Sequence, residues 1–263
     1  MARPIVALLT DFGNRDHYAG TMKGVILGIC PDATLVDISH EIPPHDMQLA
    51  ALGLAASCQF FPPGSIFVSV VDPGVGSDRR GIAAEAGQRR FVAPDNGVLT
   101  AVFQDNPPDK VVELTERRYT RPAISRTFEG RDRFAPAAAW LARGIELSAL
   151  GPLVTGYRVL DIPRARILDG VIEGSVLRVD RFGNLVTNID RRTFERLGRS
   201  GEVDVFVGGY CVERLVETYI DIEENEVCAL FGSNNHLEIA ANKVSAADRL
   251  GVDRGVVVRI SRR

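Results

Sequence analysis

Cysteine is sparse and scattered in this chain. Cys30, Cys58, Cys211 and Cys228 form no CxxC pair, and each sits in an apolar stretch. The spacing gives no disulfide framework, so the sequence reads as buried, reduced thiols in a cytoplasmic protein. An excess of one charge is lacking too. The formal net charge of −3 offers nothing to a polyanion, which argues against nucleic acid as a partner. No run approaches the ~20 apolar residues of a membrane helix. The apolar part of MARPIVALLT, ending before Asp11, is too short for a signal segment and reads as a first strand. Internal repeats and low-complexity segments are absent. What remains is an ordinary globular balance, 45% hydrophobic and 25% charged, over a length that suits two domains and a core without disulfides or structural metal.

The first half alternates strand and helix patterns. IVALLT, ATLVDI and SIFVSVV read as strands; YAGTMKGVILGIC and DMQLAALGLAASCQFF read as helices, the second capped by Asp46. This βαβαβ order predicts an α/β domain with a mixed, largely parallel sheet and flanking helices. GIAAEA, RRFVAP and KVVELT add strands, GVLTAVFQ a helix, and FAPAAAWLARG a last helix. The pattern changes near residue 155. We place the N-terminal domain at 1–155, a linker at 156–168 and a C-terminal domain at 169–263. Short strands (GVIEGSVLRVD, NLVTNI, EVDVFVGG, CALFG, HLEIA, GVVVRI) with glycine and Asn/Asp turns predict a smaller antiparallel β-barrel, with one short helix at RRTFERLG.

In open α/β sheets ligands bind beyond the carboxyl ends of the strands. TDFGNRD follows the first strand there and DPGVGSDRR the third, so Asp11 and Asp72 belong on one rim. Each motif alone is equally well a capped turn; together they favour a site. The DFG at residues 11–13 lacks the other kinase motifs, and GVGSDRR lacks the GK[ST] of a phosphate-binding loop. HEIPPHD offers His40, His45 and Asp46, but no second cluster completes a metal sphere, so it reads as a loop. His17 is a lone histidine and reads as structural. In TFEGRDRFAP, Asp132 suits the first turn of a helix, which leaves Glu129 unexplained. DRFGNLVTNI and LFGSNNHLEIAAN read as hairpins, with Ser233 and Asn234 at the second bend.

Taken in order, LLTDFG, ICPDATLVDISHEIPPHD, FFPPGSIFVSVVDPGVGSDRR, FVAPDNGVLT, FEGRDRFAP, DRFGNLVTNI and GSNNHLEIAAN resemble the S-adenosylmethionine hydroxide adenosyltransferases, hydrolytic relatives of fluorinase and chlorinase. The resemblance spans nearly the whole chain. It implies an α/β domain followed by a β-barrel, and a homotrimer with sites between the N-terminal domain of one subunit and the C-terminal domain of the next. It implies attack of water or hydroxide on the 5′ carbon of S-adenosylmethionine, which is substrate rather than cofactor, giving adenosine and methionine. No further cofactor, metal, nucleic acid or membrane is implied.

By motif position, Asp72 and Arg79 match the aspartate and arginine of the hydrolases. An acid there orients water and accepts its proton, and a neighbouring guanidinium keeps the acid ionised. Asp11 matches the acid that holds the ribose hydroxyls, and Asp180 the one that pairs with the methionine ammonium. Phe182 and Tyr219 match rings around the adenine, Asn184 its hydrogen-bonding asparagine, and Ser233 a contact to the amino-acid end. His45 falls where halogenating relatives carry tryptophan. Glu129 departs from the family histidine, so it is expected beside Asp72 and Arg79 at the same water, as a third catalytic residue that handles the proton. Asn235 replaces a common glycine. Halide-using relatives carry tyrosine in place of Asp72 and an insertion before FVAP, both absent here. A chlorinase-like halogenase is thereby disfavoured. A protein that binds S-adenosylmethionine or adenosine with little turnover is the other reading, from the Glu129 change.

Overall fold

Every residue of Ile5–Thr10 except Thr10 is apolar, so both faces of this strand need cover. The computed structural model, which describes residues 3–197 and 203–263, supplies it. The first unit, Met1–Asp161, runs β1 (Ile5–Thr10), α1 (Tyr18–Ile29), β2 (Thr34–Ser39), α2 (Met47–Cys58), β3 (Ile66–Val70), β4 (Gly81–Ala86), β5 (Arg89–Pro94), α3 (Thr100–Asp105), β6 (Lys110–Glu113) and α4 (Ala135–Ala142). Side chains alternate across β1. Val6 and Leu8 pack with Met22 and Ile26 of α1 and Ala138 and Leu141 of α4. Ala7 and Leu9 pack with Ala50 and Leu54 of α2 and Val102 and Phe103 of α3. The Asp46 carboxylate caps α2 by accepting from Leu49 N at 2.9 Å, as the sequence predicts.

The strand order is β2-β1-β3-β5-β4-β6. β2, β1, β3 and β5 run parallel; β4 is antiparallel to both β5 and β6. This is the expected mixed, largely parallel sheet. The chain leaves β1 for β2 on one side, then crosses to β3 on the other, so a crevice opens at the carboxyl ends of β1 and β3. Thr10 and Val70 pair in register, which puts Asp11 and Asp72 on that one edge.

The second unit, Ile162–Arg263, runs β7 (Arg166–Leu168), β8 (Val171–Val179), β9 (Leu185–Asp190), α5 (Arg191–Arg196), β10 (Val203–Val207), β11 (Tyr210–Val212), β12 (Val227–Phe231), β13 (His236–Ala241), α6 (Ala246–Leu250) and β14 (Val257–Arg262). Antiparallel neighbours follow the order β11-β10-β14-β8-β9-β13-β12, with β7 beside β8. β8 gives its first half to β14 and its second to β9. Val212 and Ala229, from the two ends of that order, share one core with Ile172, Leu185 and Ile260. The sheet therefore curls into a nearly closed barrel, as expected.

Of the strands and α-helices named above, β7, β11 and α6 were not expected. β7 lies in the stretch read as linker, and its order comes from pairing, Ile167 with Ile172. One thiol also departs from expectation. Cys30, Cys58 and Cys228 are buried, but Cys211 is exposed. Alternation along β11 explains it: Val212 turns into the core, and Cys211 shares the outer face with its exposed partner Phe206. Among the described residues no helix is long and apolar enough to cross a membrane.

Candidate active site

The loop after β3 is shaped by glycine and closed by its own hydrogen bonds. Ser77 donates to Gly74 O through both N (3.1 Å) and Oγ (2.7 Å). Gly76 has φ 78°, and a Cβ there would lie 2.5 Å from Arg126 O, while Arg126 Nη2 donates to Gly76 O at 2.6 Å. Only glycine fits that approach.

This fold of the loop turns Asp72 and Arg79 onto each other. Arg79 Nε donates to Asp72 Oδ1 at 2.7 Å, and Nη2 forms an ion pair with Oδ2. Nη2 also donates to Glu129 Oε2 at 2.9 Å, with Arg133 Nη1 3.4 Å from the same oxygen. The three side chains are only 5%, 5% and 8% exposed, which shields them from bulk water. The Arg79 guanidinium lies 5.4 Å from the Phe134 ring centroid. Burial pushes the Asp72 carboxyl above its ordinary pKa. Arg79 pulls it back down, and repulsion from Glu129 adds to the rise. Arg79 Nη1 is a buried donor with no hydrogen-bonding partner among the described residues. Glu129 thus joins the pair by holding Arg79.

Glu129 enters on a π-helical turn, Gly130–Phe134, that leads into α4. Asp132 lies in the first turn of that helical segment, as expected. It is fully buried, accepts from Arg131 Nε (2.7 Å) and Nη2 (2.8 Å), and takes the Ser125 N–H at 2.8 Å. Burial alone would raise its pKa, but these contacts outweigh it and hold the carboxyl low. Its task is to fasten the 121–125 segment.

Asp11 Oδ2 accepts the His45 N–H at 2.9 Å. His45 is exposed with φ 68°, so it serves Asp11 through its backbone. The two loops are laced together further: Gly13 N donates to His40 O (2.7 Å), and Asn14 N and Nδ2 donate to Glu41 Oε1 (3.1 and 2.7 Å). Beneath them Thr10 Oγ1 meets His40 Nδ1 at 2.8 Å, His40 Nε2 meets Asp37 Oδ1 at 3.0 Å, and Asp37 Oδ2 meets Lys23 at 2.6 Å. His40 is therefore a buried structural link, which its loop-like surroundings in the sequence did not reveal. His17 is exposed and stacks on Tyr18 at 4.6 Å. The Phe12 ring rests edge-on against Phe128 at 6.0 Å, joining the Asp11 loop to the segment that carries Glu129.

In the barrel, Asp180, Phe182 and Asn184 share the β8–β9 turn. Asp180 Oδ1 accepts from Phe182 N (2.8 Å) and Asn184 N (2.9 Å), and Asn184 Nδ2 donates to Oδ2 at 3.1 Å. Phe182 is 76% exposed, which leaves its ring free to cover a ligand. Ser233 and Asn235 are exposed on the β12–β13 turn, and Asn235 adopts φ 57° where a glycine is unstrained. Tyr219 OH donates to Glu238 Oε2 at 3.4 Å. Glu238, on β13, is buried; burial and the nearby Asp180 charge raise its pKa, while Arg178 and the Tyr219 hydroxyl oppose the rise. The same burial, with Glu238 and Asp180, raises the Tyr219 pKa. Glu238 was not evident as a site neighbour; its only signal is a carboxylate inside the apolar HLEIAA run. Among the described residues no group of three His, Cys, Asp or Glu is arranged to hold a metal ion.

An acid–guanidinium–acid cluster at the crevice of an α/β sheet, on a chain that also builds an antiparallel barrel, makes this a two-unit protein with a candidate small-molecule site in its first unit. Sequence comparison gives the family. Residues 6–151 match the SAM hydroxide adenosyltransferase N-terminal domain and residues 174–259 the corresponding C-terminal domain, so the chain belongs to that family. It is 38% identical to a Thermus thermophilus protein named (R)-S-adenosyl-L-methionine hydrolase, over 98% of this chain and 99% of the relative. A fluorinase of an Actinoplanes species is more distant, at 26% over 98% of each chain. The crystal structure of a conserved Thermotoga maritima protein superposes with a TM-score of 0.93 at 35% identity, covering 98% of this chain and all of the other.

Proposed function

We propose that this chain hydrolyses S-adenosylmethionine, giving adenosine and L-methionine. The observation that carries the reading is the buried Asp72–Arg79 pair, in a chain 38% identical to a named hydrolase and 26% identical to a fluorinase. The relative's name specifies the (R) sulfonium configuration, and we extend that preference to this chain.

In the reaction, water oxygen bonds to the 5′ carbon as the carbon–sulfur bond breaks. The bonding pair leaves with sulfur, which turns from sulfonium to thioether. Asp72 orients the water and takes its proton, then returns it to solvent. A carboxylate with a raised pKa is a stronger base than a free one, and Arg79 keeps it ionised. Because the sulfonium is already a good leaving group, in-line positioning and exclusion of bulk water supply much of the rate. Glu129 holds Arg79 and completes the cluster. Asp11 holds the ribose hydroxyls, with His45 fixing Asp11. In the barrel unit Asp180 takes the ammonium, Phe182, Asn184 and Tyr219 the adenine, and Ser233 the amino-acid end. No cofactor takes part. A cytoplasmic homotrimer with sites at subunit interfaces completes the reading, supported by the family resemblance.

The test is incubation with each sulfonium epimer, with and without chloride, followed by chromatography. Adenosine and methionine, unaffected by chloride, are expected. A chlorinated nucleoside identifies a halogenase, and binding without conversion identifies a binding protein; either result overturns the proposal. Asp72→Asn should lower turnover by roughly 10²–10⁴-fold with much less effect on substrate affinity. Near-native turnover in that variant removes Asp72 from its role.

A further inference from the structure

The FVAPDNGVLT stretch has no part in the chemistry above, yet the topology puts it at the centre of the site. In the strand order β5 lies between β3 and β4. The loop of residues 71–80 joins β3 to β4, so it must arch over the carboxyl end of β5. Asp95 and Asn96 are the first two residues after that end, and each grips one foot of the arch.

At the β3 foot, Asn96 Nδ2 donates to Val71 O at 2.9 Å, while Asn96 Oδ1 accepts from Val98 N at 3.1 Å. At the β4 foot, Asp95 N donates to Arg80 O at 2.9 Å, and Asp95 Oδ2 accepts from Arg80 Nε (3.0 Å) and Nη2 (2.5 Å). Asp95 is 4% exposed, and its second oxygen takes the Arg158 N–H at 2.8 Å. Gly97 turns the chain away with φ 95°, where a Cβ would lie 2.7 Å from Leu160 Cγ. Thr100 Oγ1 accepts from Leu160 N at 2.9 Å, which secures the same segment.

Val71 immediately precedes Asp72, and Arg80 immediately follows Arg79. The crown of the arch, by contrast, is exposed at Val75, Ser77 and Asp78. We infer that Asp95 and Asn96 are positioning residues: they clamp both feet of the loop and so set the separation at which Asp72 and Arg79 meet. The inference rests on the hydrolase reading for its kinetic consequence, and on geometry alone for its mechanical one.

Two variants test it in the full chain. Asp95→Asn keeps the shape and removes the charge that holds Arg80. Asn96→Ala releases Val71 independently and carries the test if the first variant is unstable. Hydrogen exchange read by mass spectrometry should quicken in peptides covering 72–80 in both. Turnover should fall at least about tenfold, while the Kd for adenosine stays within about twofold, because misplaced catalytic groups lose rate before they lose binding. In an Asp72→Asn background the same substitutions should cost no further turnover, since the clamp acts through the pair it aligns. Losses that multiply with Asp72→Asn, or unchanged exchange at 72–80, overturn the inference. If the native chain converts neither epimer, the hydrolase reading falls and the exchange result still decides the clamp.

Discussion

Arg79 faces two carboxylates, and the consequence is legible in one titration. Asp72 is pushed up first by burial and further by Glu129, against the pull of Arg79. Only the ionised carboxylate can take a proton from water, so the acidic limb of the turnover–pH profile follows the Asp72 pKa. Glu129→Gln removes one repelling charge, and the Asp72 pKa falls. The limb should therefore move to lower pH, with most turnover retained at neutral pH. A Gln variant that loses turnover and its acidic limb together would show instead that Glu129 passes the proton itself. Glu129→His, which places the residue implied by the resemblance, should carry a limb nearer ~6.5.

Strand β13 holds a second carboxyl whose pKa is raised. Glu238 sits between Val186 of β9 and Leu230 of β12 in a sheet whose neighbours are apolar. Its pKa is raised above the ordinary 4.5 in the folded protein. Ionising it therefore costs folding stability, fully so above the folded pKa and not at all below the unfolded value. Glu238→Gln should raise the Tm most at pH 7–8, with the gain shrinking as pH falls through the raised pKa toward 4.5. A gain independent of pH would trace to packing and defeat this account. Such an acid is hard to see in advance, because HLEIAA reads as one more alternating strand. Elements with strong periodicity were readable: β1, β3 and the Asp46-capped α2 follow from apolar runs and a side-chain acceptor. β7 and β11 were not, because three residues carry no period and are ordered by their partners. At the site, the ordered motifs pointed to Asp72 and Arg79. The bonds from Asp95 and Asn96 to strand-end carbonyls and to Arg80 leave only ordinary turn residues in the sequence.

At the scale of the whole molecule, the proposed interfacial sites predict complementation. Asp72→Asn and Asp180→Ala proteins, each of low activity, should regain activity when their subunits exchange, because some assemblies then hold intact sites. No recovery despite proven exchange would place each site within one subunit, and a monomer by sedimentation would remove the premise. Proving exchange needs a reporter, and the barrel provides its own. Cys211 is the exposed thiol, while Cys30, Cys58 and Cys228 are buried. Partial burial and the acids Asp204 and Glu213 hold the Cys211 pKa above its ordinary value, so it calls for mildly alkaline buffer to react. A maleimide dye would then mark one position per chain with no engineering. Donor- and acceptor-labelled pools of the native protein, mixed, would report the shuffling of subunits as energy transfer growing with time.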